Sequence, residues 1–273
     1  MDITAGTTVA ALQAGLPLEP LENRILLCHA LGLSRVGLIT QSERTLTAPE
    51  AAALAALVER RVTGEPIAYI VGRREFFGLD FRVTDAVLIP RPDTELLVEL
   101  ALERLPAQAR VLDMGTGSGA IAVAIAHTRP DAQVTALDVS PAALDIARQN
   151  AEANGARVRL VQSDWFAAIA GERFDLVVSN PPYIAAGDTH LSQGDLRFEP
   201  AGALTDHADG LSALRIITAG ASAQLEPGGW LLMEHGYDQA QQVRALLTAQ
   251  GYLDVASWRD LAGIERVSGG RAP

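Results

Sequence analysis

The chain has 273 residues, 48% of them hydrophobic, enough for one large domain and a smaller one, and this excludes a disordered, collagenous or disulfide-scaffold protein. Its net charge is −11, from 22 basic and 33 acidic residues, and every basic residue is Arg, so a Schiff base, a P-loop lysine and a Lys general base are excluded. One cysteine, Cys28, cannot form an internal bridge, and the five His (29, 127, 190, 207 and 235) never fall at metal-ligand spacing, so no structural zinc site is expected.

The opening MDITAGTTVAALQAG has no early Arg and interrupts its apolar run with polar residues, which is unlike a secretory signal. No run of about 18 apolar residues is free of charge. A soluble protein of the reducing cytoplasm is expected, without membrane contact.

Residues 1 to 74 read as helices. Leu21, Ile25, Leu26 and Leu27 fit one apolar face, and Leu54, Leu57 and Val58 fit another. The second follows Thr47-Ala48-Pro49-Glu50, a capping box in which the Thr hydroxyl and the Glu satisfy each other's orphan amides. Gly64 and Pro66 stop that helix. Residues 75 to 83 alternate around Gly78, which predicts a short hairpin, so residues 75 to 90 read as a linker between two domains.

From Arg91 onward, strands alternate with helices. Short buried strands are predicted at 110 to 114, 134 to 137, 158 to 161, 176 to 179 and 230 to 233. Helices are predicted at 120 to 126, from Ser140-Pro141 to Asn154-Gly155, near 210 to 224 and at 239 to 249. Strand, helix, strand repeated in this way means an α/β doubly wound, mostly parallel sheet, to which 255 to 267 adds an antiparallel edge pair. The stretch from Ile184 to Gly210 has no periodicity, and a loop that long reads as a cover over a site.

Between a predicted strand and helix lies Asp113-Met114-Gly115-Thr116-Gly117-Ser118-Gly119. Glycines there let the chain turn sharply and let a ligand approach main-chain amides. Gly115, Gly117 and Ala120 also fit a dinucleotide turn, so a hydride-transfer enzyme is one reading. Asp113 argues against it, because a pyrophosphate would meet a like charge, whereas the ammonium and sulfonium of S-adenosyl-L-methionine would meet an opposite one. Asp113 itself is expected only as a second-tier contact. Asp138 ends the next strand, where a carboxylate accepts both ribose hydroxyls. Ser163-Asp164-Trp165 follows the third strand, with a carboxylate for an exocyclic amine and an indole for the adenine face, although Trp165 as a plain core aromatic stays open.

Asn180-Pro181-Pro182-Tyr183 follows the strand at 176 to 179. Two prolines fix two φ angles and remove two amides, so the chain leaves the strand in one rigid shape. A planar amide or aryl amine is a poor nucleophile because its lone pair is delocalised. The Asn180 side-chain oxygen and the Pro181 carbonyl are placed to accept its two N–H protons, aiming the nitrogen at a methyl group on sulfur, with Tyr183 packing on the flat substrate group.

These residues resemble the class I S-adenosylmethionine-dependent methyltransferases, and more narrowly the PrmC/HemK family of peptide chain release factor glutamine methyltransferases. Beyond the two motifs, the likeness includes Tyr69-Ile70-Val71-Gly72, Glu75-Phe76-Phe77-Gly78 and Ile89-Pro90-Arg91-Pro92-Asp93-Thr94-Glu95. It continues in Phe198-Glu199-Pro200, Ala203-Leu204, Asp209-Gly210-Leu211, Gly228-Gly229 and Leu231 to Gly236, nearly the whole chain. The resemblance implies a seven-stranded methyltransferase sheet over 91 to 273, a helical substrate-recognition domain over 1 to 74, and a hairpin linker. It implies that Gly115, Thr116, Gly117, Ser118, Gly119, Asp138, Trp165 and Asn180 hold the cofactor, which leaves as S-adenosyl-L-homocysteine. It further implies that Asn180, Pro181, Pro182 and Tyr183 hold the glutamine of the Gly-Gly-Gln loop of bacterial release factors, with Arg91 and Glu95 nearby in unassigned roles. An exocyclic amine of adenine or guanine in nucleic acid presents the same planar NH2, but the acidic composition opposes a phosphate-binding surface. A non-catalytic partner-binding module is opposed by the intact tetrapeptide.

Overall fold

A computed structural model describes residues 3–273. It divides into two compact units, one ending at Gly72 and one running from Arg73 to Pro273.

The first unit is helical: α1 Val9–Gly15, α2 Pro20–Leu31, α3 Arg35–Thr40, α4 Ala48–Val62 and α5 Ile67–Val71. Its core gathers Val9, Leu12, Leu26, Leu27, Leu38, Leu54 and Val58. Burying each such side chain contributes roughly 1.5 to 3 kcal/mol. The expected apolar face of α2 differs at one place: Leu21 is exposed and Asn23 is buried. The Asn23 amide donates to the carbonyls of Leu12 at 3.1 Å and Gln13 at 2.9 Å. It satisfies the open end of α1, which an apolar side chain could not do. The capping box at Thr47 and Glu50 is formed in both directions, and Glu50 also pairs with Arg44.

The second unit opens with the antiparallel hairpin β1 Arg73–Phe76 and β2 Leu79–Arg82, so the segment read as a linker packs as part of this unit. Phe76 and Phe81 bury edge to face with ring centroids 6.0 Å apart. A helix without a sequence prediction, α6 Glu95–Arg104, follows, and Leu97, Val98 and Ala101 enter the same core. Then come β3 Arg110–Met114, α7 Ala120–Thr128, β4 Gln133–Asp138, α8 Pro141–Ala153, β5 Val158–Gln162 and β6 Phe174–Ser179. The expected cover contains two short 3-10 turns and α9 Ala201–Leu204. The chain ends in α10 Ser212–Ala221, β7 Leu225–Glu234, α11 Ala240–Ala249, β8 Leu253–Arg259 and β9 Glu265–Arg271.

The sheet has seven strands in the order β5-β4-β3-β6-β7-β9-β8, so the doubly wound reading stands. The first five pair in parallel, and β9 runs antiparallel between β7 and β8. β3 and β6 are buried over nearly their whole length and β7 over Leu231, Leu232, Met233 and Glu234, as expected of strands covered by helices on both faces. The chain steps outward from β3 to β5 and then returns to place β6 on the other side of β3. That reversal opens a crevice at the carboxyl ends of β3 and β6, the position where open α/β sheets bind ligands.

Candidate active site

Register Met114↔Ser179 brings the segments leaving β3 and β6 side by side, and the Ser179 hydroxyl donates to the Met114 carbonyl at 2.7 Å. The glycine turn and the Asn180 corner therefore meet at one edge, although they lie far apart in the chain. Between them lies a cavity of about 330 Å³. Of the residues singled out from sequence, Arg91, Gly115, Thr116, Gly117, Ser118, Asp138, Ser163, Asp164, Trp165, Asn180 and Pro182 line it; Gly119, Pro181 and Tyr183 do not.

The turn is held from beneath and from one side. The Thr116 hydroxyl donates to the Asp113 carboxylate at 2.6 Å, and the Ala122 amide donates to the same oxygen at 3.2 Å. Asp113 is fully buried and does not line the cavity, so it shapes the turn rather than facing a ligand. Asp138 accepts the Gly117 amide at 2.9 Å on one oxygen and the Ser140 amide at 2.9 Å on the other. Asn150, in α8, donates to the Ser118 carbonyl at 2.7 Å and exchanges hydrogen bonds with the main chain of Arg82 in β2. Gly119 serves packing: a Cβ there would lie 3.1 Å from Ala147 Cβ, tighter than ordinary contact.

This hydrogen bonding decides between ligand classes. The Gly117 amide is committed to Asp138, the Thr116 amide to the Leu137 carbonyl, and the Gly119 amide to the Thr116 carbonyl. A pyrophosphate would need such amides free. Of the side chains lining the cavity only Arg91 is cationic, and it is paired with Glu199, while Asp138 and Asp164 are anionic. A cationic nucleoside fits this lining, and a dinucleotide does not.

Burial pushes the Asp113 carboxyl up to about 7, against the hydrogen bonds from Thr116 and Ala122, and the Asp138 charge adds to the rise. The folded protein then retains a proton that the unfolded chain releases near its ordinary value of 3.8. The stabilisation from this group is complete below about pH 4 and is lost as pH rises through about 7. Asp113→Asn, which cannot ionise, should gain stability relative to the parent by up to roughly 4 kcal/mol between about pH 4 and pH 8. Urea denaturation of both proteins across that range checks this, and a pH-independent difference would refute it.

Trp165 lies in the left-handed region, with φ +48°, which costs a bulky residue about 1 to 3 kcal/mol. Its carbonyl accepts the Ser163 hydroxyl at 2.7 Å, and that hydroxyl accepts the Ala168 amide at 3.1 Å. The local network fixes the backbone at Trp165, whose side chain both lines the cavity and packs against the core that contains Leu112 and Met114.

At the other side, the Asn180 amide nitrogen donates to the Thr94 hydroxyl at 3.2 Å. One of its two N–H donors is thus engaged by a buried residue, and the Asn180 Oδ1 is the atom that can accept from a ligand. The Tyr183 hydroxyl donates to Glu234 at 3.1 Å, and its ring packs against the core that contains Met233 and Leu214. Burial, reinforced by the Glu234 charge, keeps this phenol protonated well above its ordinary value. The Gln239 side chain donates to the carbonyls of Tyr183 at 2.9 Å and Gly210 at 3.2 Å, joining the two ends of the covering loop. The middle of that loop is anchored by Glu199, whose side chain is fully buried, accepts the Ile89 amide at 3.0 Å and pairs with Arg91.

A family model described as "PrmC N-terminal domain" matches residues 8–72, and one described as "Methyltransferase small domain" matches residues 92–204. A protein of Burkholderia pseudomallei named release factor glutamine methyltransferase is 58% identical, over 97% of this chain and 96% of its own. One of the same name from Bordetella pertussis is 55% identical over 97% and 99%. The chain belongs to the release factor glutamine methyltransferase family. A solved methyltransferase from Pyrococcus furiosus shares the fold at a TM-score of 0.56 with 22% identity, covering 78% of this chain and 96% of that one.

In this family member, several residues around the site carried no recognisable signal of their role. Thr94 and Glu199 lie in segments noted for resemblance, but their contacts with Asn180 and Arg91 span 86 and 108 residues of sequence. Glu95 has a structural task, accepting the Phe77 amide at 3.0 Å in the hairpin turn. Glu234 ends β7 within another segment noted for resemblance, and Gln239 lies beyond it, yet neither pattern marked a contact with Tyr183. Among the described residues no helix is long and apolar enough to cross a membrane, and no group of three or more His, Cys, Asp or Glu is placed to hold a metal.

Proposed function

We propose that this chain transfers a methyl group from S-adenosyl-L-methionine to the side-chain amide nitrogen of the glutamine in the Gly-Gly-Gln loop of a peptide chain release factor. The observation that carries this reading is the state of Asn180: one N–H of its Nδ2 is held by Thr94, which fixes the amide plane, and its Oδ1 stands as an acceptor at the cavity wall. Kinship with proteins named for this activity supports the substrate.

The lining suits the cofactor. Asp138, already orienting the turn, keeps unused lone pairs for the two ribose hydroxyls. Trp165 offers its face to the adenine and Asp164 an acceptor for the exocyclic amine. Gly115, Thr116, Gly117 and Ser118 bound the space for the amino-acid portion, with Gly119 securing the turn against α8. When bound, S-adenosyl-L-methionine supplies a methyl group on positively charged sulfur and leaves as S-adenosyl-L-homocysteine.

Asn180 Oδ1 and the Pro181 carbonyl accept the two N–H bonds of the glutamine amide, which turns the nitrogen toward the cavity and offsets the positive charge that grows on it. Pro182 and Tyr183 complete the corner. The nitrogen loses its proton to a carbonyl or to water once the new bond has formed, so no side-chain base is required. A release factor substrate carries a cytoplasmic location with it.

The test is intact-mass analysis and peptide mapping of purified release factor after incubation with this protein and labelled cofactor. One added methyl group on the Gly-Gly-Gln glutamine is expected. An unchanged release factor, or label appearing in nucleic acid instead, would overturn the reading.

A further inference from the structure

β7 ends beside the Asn180 corner. Register Ser179↔Met233 sets Asn180 and Glu234 level with each other, one residue beyond the last pair of β6 and β7. Glu234 is only 2% exposed, and an acid is kept there at the cost of taking a carboxylate out of water. One of its oxygens accepts the Tyr183 hydroxyl, and the other, Oε2, is buried with no hydrogen-bond partner. Nothing in the cavity lining or in the proposed reaction uses this carboxylate. It bears directly on Tyr183, and the Thr94 hydroxyl, which accepts the Asn180 amide, stands near enough to favour its charged form.

We propose that Glu234 is a positioning residue of the methyl-transfer site, holding Tyr183 through its hydroxyl so that the rigid corner has one orientation toward the substrate amide. The proposal rests on the reading of Asn180 to Tyr183 as the acceptor corner. The prolines stiffen the chain between the two ends but do not anchor either end to the sheet; that anchoring needs a partner on a neighbouring strand, and β7 provides it. Gln239 clamps the backbone separately, holding the Tyr183 carbonyl and leaving the side chain to Glu234. Burial pushes the Glu234 carboxyl up to about 7, against the hydroxyls of Thr94 and Tyr183, while the Asp93 charge adds to the rise and Arg266 opposes it.

The test compares Glu234→Ala, Glu234→Gln, Tyr183→Phe and the double variant Glu234→Ala with Tyr183→Phe. Loss of one buried hydrogen bond corresponds to about a tenfold effect. Glu234→Ala and Tyr183→Phe should each lower kcat for release factor about tenfold, with KM for the cofactor unchanged, and the double variant should lose no more than either alone. Glu234→Gln keeps an acceptor for Tyr183 and should restore most of the rate. Independently of turnover, the ring signals of the four tyrosines in 13C-labelled protein should show Tyr183 shifted in Glu234→Ala and restored in Glu234→Gln. Full activity in Glu234→Ala, multiplicative losses in the double variant, or an unmoved Tyr183 signal would overturn the proposal. Should Glu234→Ala fail to fold, Tyr183→Phe and Glu234→Gln still decide it, by the tenfold loss in one and its absence in the other. A parent protein that does not methylate release factor, while the ring signals respond as stated, would strike the functional reading and leave the Glu234 to Tyr183 link standing.

Discussion

Asn180→Ala should lower kcat by a hundred- to a thousandfold while S-adenosyl-L-homocysteine still binds. The substitution removes Oδ1, the acceptor for one N–H of the substrate amide. It also removes the donor that Thr94 accepts, so the segment before α6 loses its tie to the corner. Loss of a single preorganised polar group at a developing charge has an effect of that size because the site excludes the water that would otherwise replace it. Cofactor affinity should fall by less than about tenfold, since Asp138, Trp165 and the glycine turn keep their own hydrogen bonds when Asn180 is gone. Single-turnover methyl transfer at saturating reactants, beside calorimetric binding of S-adenosyl-L-homocysteine, separates the two effects. A rate within tenfold of the parent would end the role assigned to Asn180.

Gly210→Ala should be nearly as damaging, although Gly210 does not line the cavity. Its φ is +79°, a conformation that costs any residue with a Cβ about 1 kcal/mol. A Cβ there would lie 2.4 Å from the Tyr183 carbonyl oxygen, 3.0 Å from the Gln239 amide nitrogen and 3.1 Å from the Ala185 amide. The nearest of these atoms is main chain and cannot swing aside, so the covering loop must move away from the corner it closes. Destabilisation of about 2 to 4 kcal/mol is expected from overpacking and strain together. A drop in kcat greater than tenfold should accompany it, because the Gln239 bridge between Tyr183 and Gly210 is broken. Gly187, in the same loop, has no neighbour within 4 Å of a built Cβ and no positive φ, so Gly187→Ala should match the parent in both measurements. Equal behaviour of the two variants would show that the loop ends are not coupled to the site.

Both predictions concern contacts between segments far apart in the chain, which local rules do not reach. Such rules were enough for the capping box at Thr47 and Glu50, the hairpin around Gly78 and the start of α8 at Ser140, because each depends on residues within a few positions of one another. They were also enough for the two motifs, since a glycine turn after one strand and a Pro-Pro corner after another are short and distinctive. Periodicity failed at Leu21 and Asn23, where a hydrogen-bonding need at the end of α1 outweighed hydrophobic pattern. It also failed between 184 and 210, whose order comes from Glu199 and Gln239 rather than from a repeating pattern.

The amino-acid sequence alone determined the alternation of strand and helix, the two motifs at the carboxyl edge and the family to which they point, because these are written in neighbouring residues. Only the tertiary structure decided that Asp113 supports the turn from below, that Thr94 takes one donor of Asn180 and that Glu234 takes the Tyr183 hydroxyl. The reason is that a buried polar atom takes whichever partner the packed sheet brings within about 3 Å. That choice follows from strand order and register, and neither of these is a property of any one segment.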